Sequence, residues 1–173
     1  FQGDFAWASK QFKELKSAST QLIANDALEY FLLISDNTVA DSTQTALKQF
    51  AKGDYLLYQN RNKEAETQFQ AILKSFKGEQ IEAVTMLRLG KIFEKKGDYS
   101  LALSQYQAII EQHPESIHMD EALFFSAEIE NKKMQQPEKA KLLYEKIIFN
   151  HQDSIYFVEA RKEYRQLRGD KNL

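Results

Sequence analysis

Cysteine is absent from the 173 residues, so disulfides and thiolate metal sites have no part in the fold, and a chain without thiols is compatible with any compartment. Proline occurs only 2 times and glycine only 6 times, which leaves few residues that break a helix. Long hydrophobic runs are missing too. The best candidate, Tyr30-Phe31-Leu32-Leu33-Ile34, stops at Ser35-Asp36, far short of the roughly 20 apolar residues that span a bilayer, so no direct membrane insertion is expected. Neither sign of charge prevails: 23 Lys plus Arg face 25 Asp plus Glu, for a formal charge of -2. The two signs are interleaved, which excludes the basic stripe of a phosphate-backbone binder, and no nucleic-acid partner is expected.

Catalytic motifs are also lacking. Gly53, Gly78, Gly90, Gly97 and Gly169 form neither a phosphate loop nor a dinucleotide fingerprint, no serine lies in G-x-S-x-G, and H-E-x-x-H does not occur. The chain is therefore expected to be non-enzymatic, with no catalytic residues, no cofactor and no metal. His113, His118 and His151 read as loop or helix-end residues, and Arg168-Gly169-Asp170 reads as a helix stop at glycine rather than an adhesion tripeptide. Phe1-Gln2-Gly3 matches the residue of a tag-removal protease site and is set aside, which makes a longer parent protein the expectation.

What the chain does have is repetition. His113-Pro114-Glu115-Ser116 is echoed by His151-Gln152-Asp153-Ser154, and Glu121-Ala122 by Glu159-Ala160. Three stretches share the pattern of alanine, an aromatic four residues later and isoleucine three after that: Ala65, Phe69, Ile72; Ala102, Tyr106, Ile109; Ala140, Tyr144, Ile147. These positions lie on one face of a helix, so each stretch is an amphipathic helix with a buried stripe. Ahead of each lies a second helix with a small residue at a matching place, Gly53, Gly90 and Ala127, where two backbones could approach closely. Breakers separate the members of each pair, in Gln59-Asn60-Arg61-Asn62, Lys96-Gly97-Asp98 and Met134-Gln135-Gln136-Pro137, and the third turn is one residue longer. Ser116 and Ser154 are placed to cap the helices that follow them.

Leu89-Gly90, Phe93, Gly97-Asp98-Tyr99, Ala102, Tyr106 and Pro114 resemble the small, aromatic, turn and terminal proline positions of the tetratricopeptide repeat family. The flanking units depart from it at Leu56, Ala127 and Gln152. The unit length and the Pro-x-Ser between units look like repeats of bacterial periplasmic and outer-membrane-associated proteins, which favours that location over the cytoplasm. The resemblance covers residues 43 to 170 and implies an all-α fold, a right-handed superhelix of antiparallel helix pairs.

Nine helices are expected, at 4–16, 19–35, 41–59, 62–76, 79–96, 99–112, 117–133, 137–150 and 154–168. They group as an N-terminal hairpin at 4–40, whose first helix copies a second-helix stripe with Ala8, Phe12 and Leu15, then repeats at 41–78, 79–116 and 117–153, and a capping helix with its tail at 154–173. The family binds partners on the surface made by first helices. Carried over, the groove positions are Phe50, Asp54, Leu57 and Tyr58, then Leu87, Arg88, Lys91 and Lys95, then Phe124, Phe125, Glu128 and Lys132. A carboxylate clamp known in the family would fall on Phe50, Asp54, Arg88, Glu121 and Phe125, of which only Arg88 is basic, so no such clamp is expected. Aromatic anchors beside Arg88, Lys91 and Lys95 favour an apolar, acidic protein segment as partner. Self-association of the parent, through Tyr55 to Tyr58 or Phe124-Phe125, is the alternative.

Overall fold

The structure, a computed structural model, describes residues 3–17, 20–40 and 44–170. Phe1 and Gln2 of the expected tag remnant, residues 41–43 at the start of the third expected helix, and residues 171–173 of the tail lie outside them. Among the described residues the chain is all-α, with nine helices and no strand: α1 (Phe5–Leu15), α2 (Gln21–Ala40), α3 (Thr45–Tyr58), α4 (Asn62–Ser75), α5 (Ile81–Lys96), α6 (Tyr99–Gln112), α7 (Met119–Lys132), α8 (Pro137–Asn150) and α9 (Phe157–Arg168). None of them is long and apolar enough to cross a membrane. The chain forms two compact units, Phe1–Thr85 and Met86–Leu173.

Each helix pair closes on the stripe read from the sequence. In the first unit Ala65, Phe69 and Ile72 of α4 are fully buried, with Phe69 against Phe50 at 5.4 Å between ring centroids. In the second, Ala102, Tyr106 and Ile109 of α6 and Ala140, Tyr144 and Ile147 of α8 are fully buried as well. Burying a side chain of this size stabilises the pair by about 1.5–3 kcal/mol. Small residues set the approach: a Cβ on Gly53 would lie 2.6 Å from Cε1 of Phe69, and one on Gly90 2.3 Å from Cε1 of Tyr106. The aromatic ring occupies the space that a side chain on the facing helix would need.

The turns within pairs repeat as backbone geometry. Each contains one residue in the left-handed region, Asn60 (φ 60), Gly97 (φ 84) and Gln135 (φ 55). Arg61 and Asp98 then donate their amide N–H to the carbonyls of Leu56 and Phe93, both at 2.9 Å, and Gln136 donates to Glu130 at 2.8 Å across the longer third turn. Pro137 occupies the first turn of α8, where its missing N–H costs nothing.

Two expectations need correction. The helix expected over 19–35 continues to Ala40, because Asn37 Nδ2 donates to the Leu33 carbonyl at 2.8 Å and Thr38 Oγ1 to the Ile34 carbonyl at 2.6 Å. These polar side chains bond back onto the helix instead of ending it. Ser116 and Ser154 are not the caps of α7 and α9 either. His118 and Tyr156 hold those positions, and the serine hydroxyls accept their N–H groups at 3.2 and 3.1 Å, forming a separate turn ahead of each helix. Gly169 does end α9, with φ 84, and Arg168 of the tripeptide pairs with Asp170 at 2.7 Å.

Candidate functional site

The second unit concentrates polar and aromatic groups on its first helices. Lys91 of α5 reaches Glu121 of α7, Nζ to Oε1 at 2.5 Å, and also lies 5.1 Å from the centroid of the Phe125 ring. His118 Nδ1 approaches the other carboxylate oxygen at 3.7 Å. Burial of Glu121 disfavours its charge, but His118 and Lys91 outweigh that and hold its carboxyl at about 2, well below the usual range. Lys91, one of the expected groove residues, is thus already paired with Glu121.

Two turns along α7 from Glu121, Glu128 accepts from two donors, Tyr144 Oη at 2.5 Å and Lys132 Nζ at 2.6 Å. Lys132 also stands 3.6 Å from Glu163 of α9, and its pKa is raised, chiefly by the hydrogen bond to Glu128. The buried Tyr144 hydroxyl is held well above the ordinary tyrosine range, first by desolvation and then by Glu128. Tyr106 repeats the motif, donating to Glu94 at 3.2 Å, with its pKa raised in the same direction by burial first.

Between these two polar clusters the aromatics are only half-buried. Phe124 stacks on Tyr156 at 4.6 Å and 20°, Phe125 packs on Phe124 at 5.9 Å, and Tyr106 lies beneath Phe125 at 6.0 Å. Such a cluster offers flat apolar area bordered by fixed charges. Lys95 is exposed and shares a shallow cleft of about 300 Å³ with Lys91, Glu94, Tyr99 and Lys133. Arg88 is half-buried on α5.

In the first unit the groove positions divide. Phe50 is 2% exposed and belongs to the core against Phe69, so its side chain is not offered to a partner as expected. Asp54 accepts from Tyr30 Oη at 3.2 Å, while Tyr58 is 78% exposed and stacks on Tyr55. A separate cleft of about 600 Å³ lies among α1, α2 and α3, lined by Phe5, Trp7, Phe12, Tyr30, Leu33 and Phe50 among others. Sequence reasoning missed this cleft, and it missed Tyr156 as a member of the aromatic cluster. Tyr156 lies two residues after Ser154, and its N–H closes the turn that the sequence pattern presents as a helix cap.

No curated protein and no solved structure is significantly similar to this chain. Residues 50–117, from the middle of α3 to the loop before α7, match a family model described as Tetratricopeptide repeat. Repeats of this kind commonly mediate protein–protein interaction, and the fold is generally a non-enzymatic scaffold. With that match added to the three aligned helix pairs, the chain has an all-α, tetratricopeptide-like fold, and the family model itself accounts for residues 50–117.

Proposed function

We propose that the protein is a non-enzymatic scaffold that holds a segment of another protein against the first-helix face of residues 86–173. The observation that carries this reading is the half-buried cluster of Phe124, Phe125 and Tyr156, flanked by the Lys91–Glu121 and Lys132–Glu128 pairs. Aromatic anchors inside a charged rim are the usual make-up of a binding hot spot. Because both lysines are already paired, the partner segment is apolar and close to neutral at its centre, and acidic residues would meet the exposed Lys95 at the edge.

Affinity capture with the wild-type chain, set beside Phe125→Ala and Lys95→Glu variants of unchanged circular dichroism, tests the proposal. A protein retained by the wild type, lost with Phe125→Ala and cross-linked to α5 or α7 is the expected result. Equal retention by all three chains refutes it. An envelope location for the parent belongs to the same proposal, and rests on the repeat length and the Pro-x-Ser loops; cell fractionation decides it. Self-association is the second reading, favoured by the exposure of Tyr58 beside Tyr55. A monomer in sedimentation over a wide concentration range eliminates that reading.

A further inference from the structure

Trp7 is the only tryptophan of the chain, and it stands 63% exposed at the cleft of about 600 Å³ among α1, α2 and α3. Five rings line that cleft, Phe5, Trp7, Phe12, Tyr30 and Phe50, and they come from all three helices. Helix packing accounts for some of them, since Phe5 and Phe50 are buried and Phe12 stacks on Tyr30 at 5.3 Å and 18°. It does not account for Trp7, a large apolar side chain left mostly in solvent beside a cavity.

The charges around the cleft have one sign. Asp4 and Asp54 line it, and among the described residues no lysine, arginine or histidine does. The helices themselves are not short of cations: Lys10 and Lys13 of α1 and Lys48 and Lys52 of α3 are all exposed, and all lie outside the lining. Each carboxylate accepts from a neutral donor. Tyr30 Oη donates to Asp54 at 3.2 Å, and the Trp7 backbone N–H donates to Asp4 Oδ1 at 3.0 Å. A neutral donor orients a carboxylate and leaves its charge in place. Tyr30 thus serves twice, stacking on Phe12 as part of the aromatic wall and holding the Asp54 carboxylate beside it.

Those features restrict a ligand by its charge. An anion would be repelled by both carboxylates, and a neutral apolar group would bring nothing to meet them. A cation gains twice, from the carboxylates and from the negative faces of the rings. The volume is that of a site for a small organic molecule, and well above what a single lysine side chain fills.

We propose that this cleft binds a small organic ammonium ion with an apolar body, its cationic end met by the lining carboxylates and its body lying among the rings. The site is contained in α1, α2 and α3 and does not depend on the first-helix face of residues 86–173. Trp7 is a built-in reporter, because all tryptophan emission comes from it. Phenethylammonium chloride titrated into the chain is expected to change that emission saturably. Its neutral counterpart, 2-phenylethanol, should bind about 10-fold more weakly, and the anionic 3-phenylpropionate should produce no change over the same concentrations. The double variant Asp4→Asn, Asp54→Asn keeps a capping side chain for α1 and an acceptor for the Tyr30 hydroxyl, so it should retain the wild-type circular dichroism while binding amine and alcohol alike. Nα-acetyl-lysine methylamide, a cation without the ring, should bind more weakly than phenethylammonium. No saturable change, equal binding of amine and alcohol by the wild type, or discrimination that persists in the double variant would each overturn the proposal. So would tighter binding of the lysine compound, which would give the cleft to a side chain of a partner protein, or Trp7 emission that varies with protein concentration in the absence of ligand, which would give it to a second copy.

Discussion

Gly90→Ala puts the helix-pair geometry to its sharpest test, because two large effects of opposite sign meet at one atom. In an open helix the substitution stabilises by about 1 kcal/mol, since alanine loses less backbone entropy than glycine. Here the added Cβ would lie 2.3, 2.8 and 2.9 Å from Cε1, Cζ and Cδ1 of Tyr106, distances that real carbon contacts do not reach. The ring cannot swing aside easily: Tyr106 is fully buried and its hydroxyl is tied to Glu94. Overpacking costs roughly 1–3 kcal/mol, and rigid surroundings place this case at the upper end. The net expectation is a loss of about 2 kcal/mol. Urea unfolding followed by far-UV circular dichroism gives the change in midpoint, and amide exchange locates it in α5 and α6. Tyr106→Leu made in both backgrounds should reveal a coupling of at least about 1 kcal/mol, the signature of two groups competing for one space. A Gly90→Ala chain as stable as the wild type, or a coupling near zero, would show that the pair does not depend on close approach.

Other outcomes follow from the polar clusters. Glu121 has a folded pKa of about 2, below its unfolded value, so its stabilisation is present above the unfolded carboxylate pKa near 4.5 and lost as pH falls toward 2. Glu121→Gln should therefore cost on the order of 3 kcal/mol at neutral pH and flatten the acid limb of the stability curve between those values, read by urea midpoints at several pH values. Tyr144→Phe removes the donor to Glu128 but leaves Lys132 in place, and should cost about 1.5 kcal/mol by the same unfolding assay, with a larger loss refuting the role given to Lys132. Gly97→Ala adds no contact, yet it forces a side chain into φ 84; a loss of about 1 kcal/mol in thermal unfolding is expected, against none if the turn relaxes.

The repeat was legible because close-packed helix pairs impose the same demands each time. A small residue, an aromatic and two aliphatics recur at fixed spacing, and that spacing fixed seven of the nine helices to within a few residues at each end. Local competition was not legible in the same way. Asn37 and Thr38 have the composition of a stop, and only their bonds to Leu33 and Ile34 show that α2 runs through them. The groove was half-readable. The residues of the first-helix face were named, but Lys91 finds Glu121 across 30 positions, and no periodicity foretells which acid a lysine will take. Phe50 was misplaced because it falls in register with an exposed family position, and here the pair with Phe69 draws it inward.

Ala127 occupies, in the third pair, the place that glycine holds in the first two, and it is fully buried in one cluster with Tyr144. That pair is also the one whose turn has an extra residue. A methyl group facing the ring and a longer hairpin connection thus occur together, which makes each pair a unit of exchange whose two helices have to travel as one piece. Chimeras spliced at His113–Ser116 or His151–Ser154 keep every glycine or alanine with its own ring. A splice inside a turn would set Ala127 against a short connection, or Gly90 against a long one, and produce a hairpin whose halves were matched to other partners.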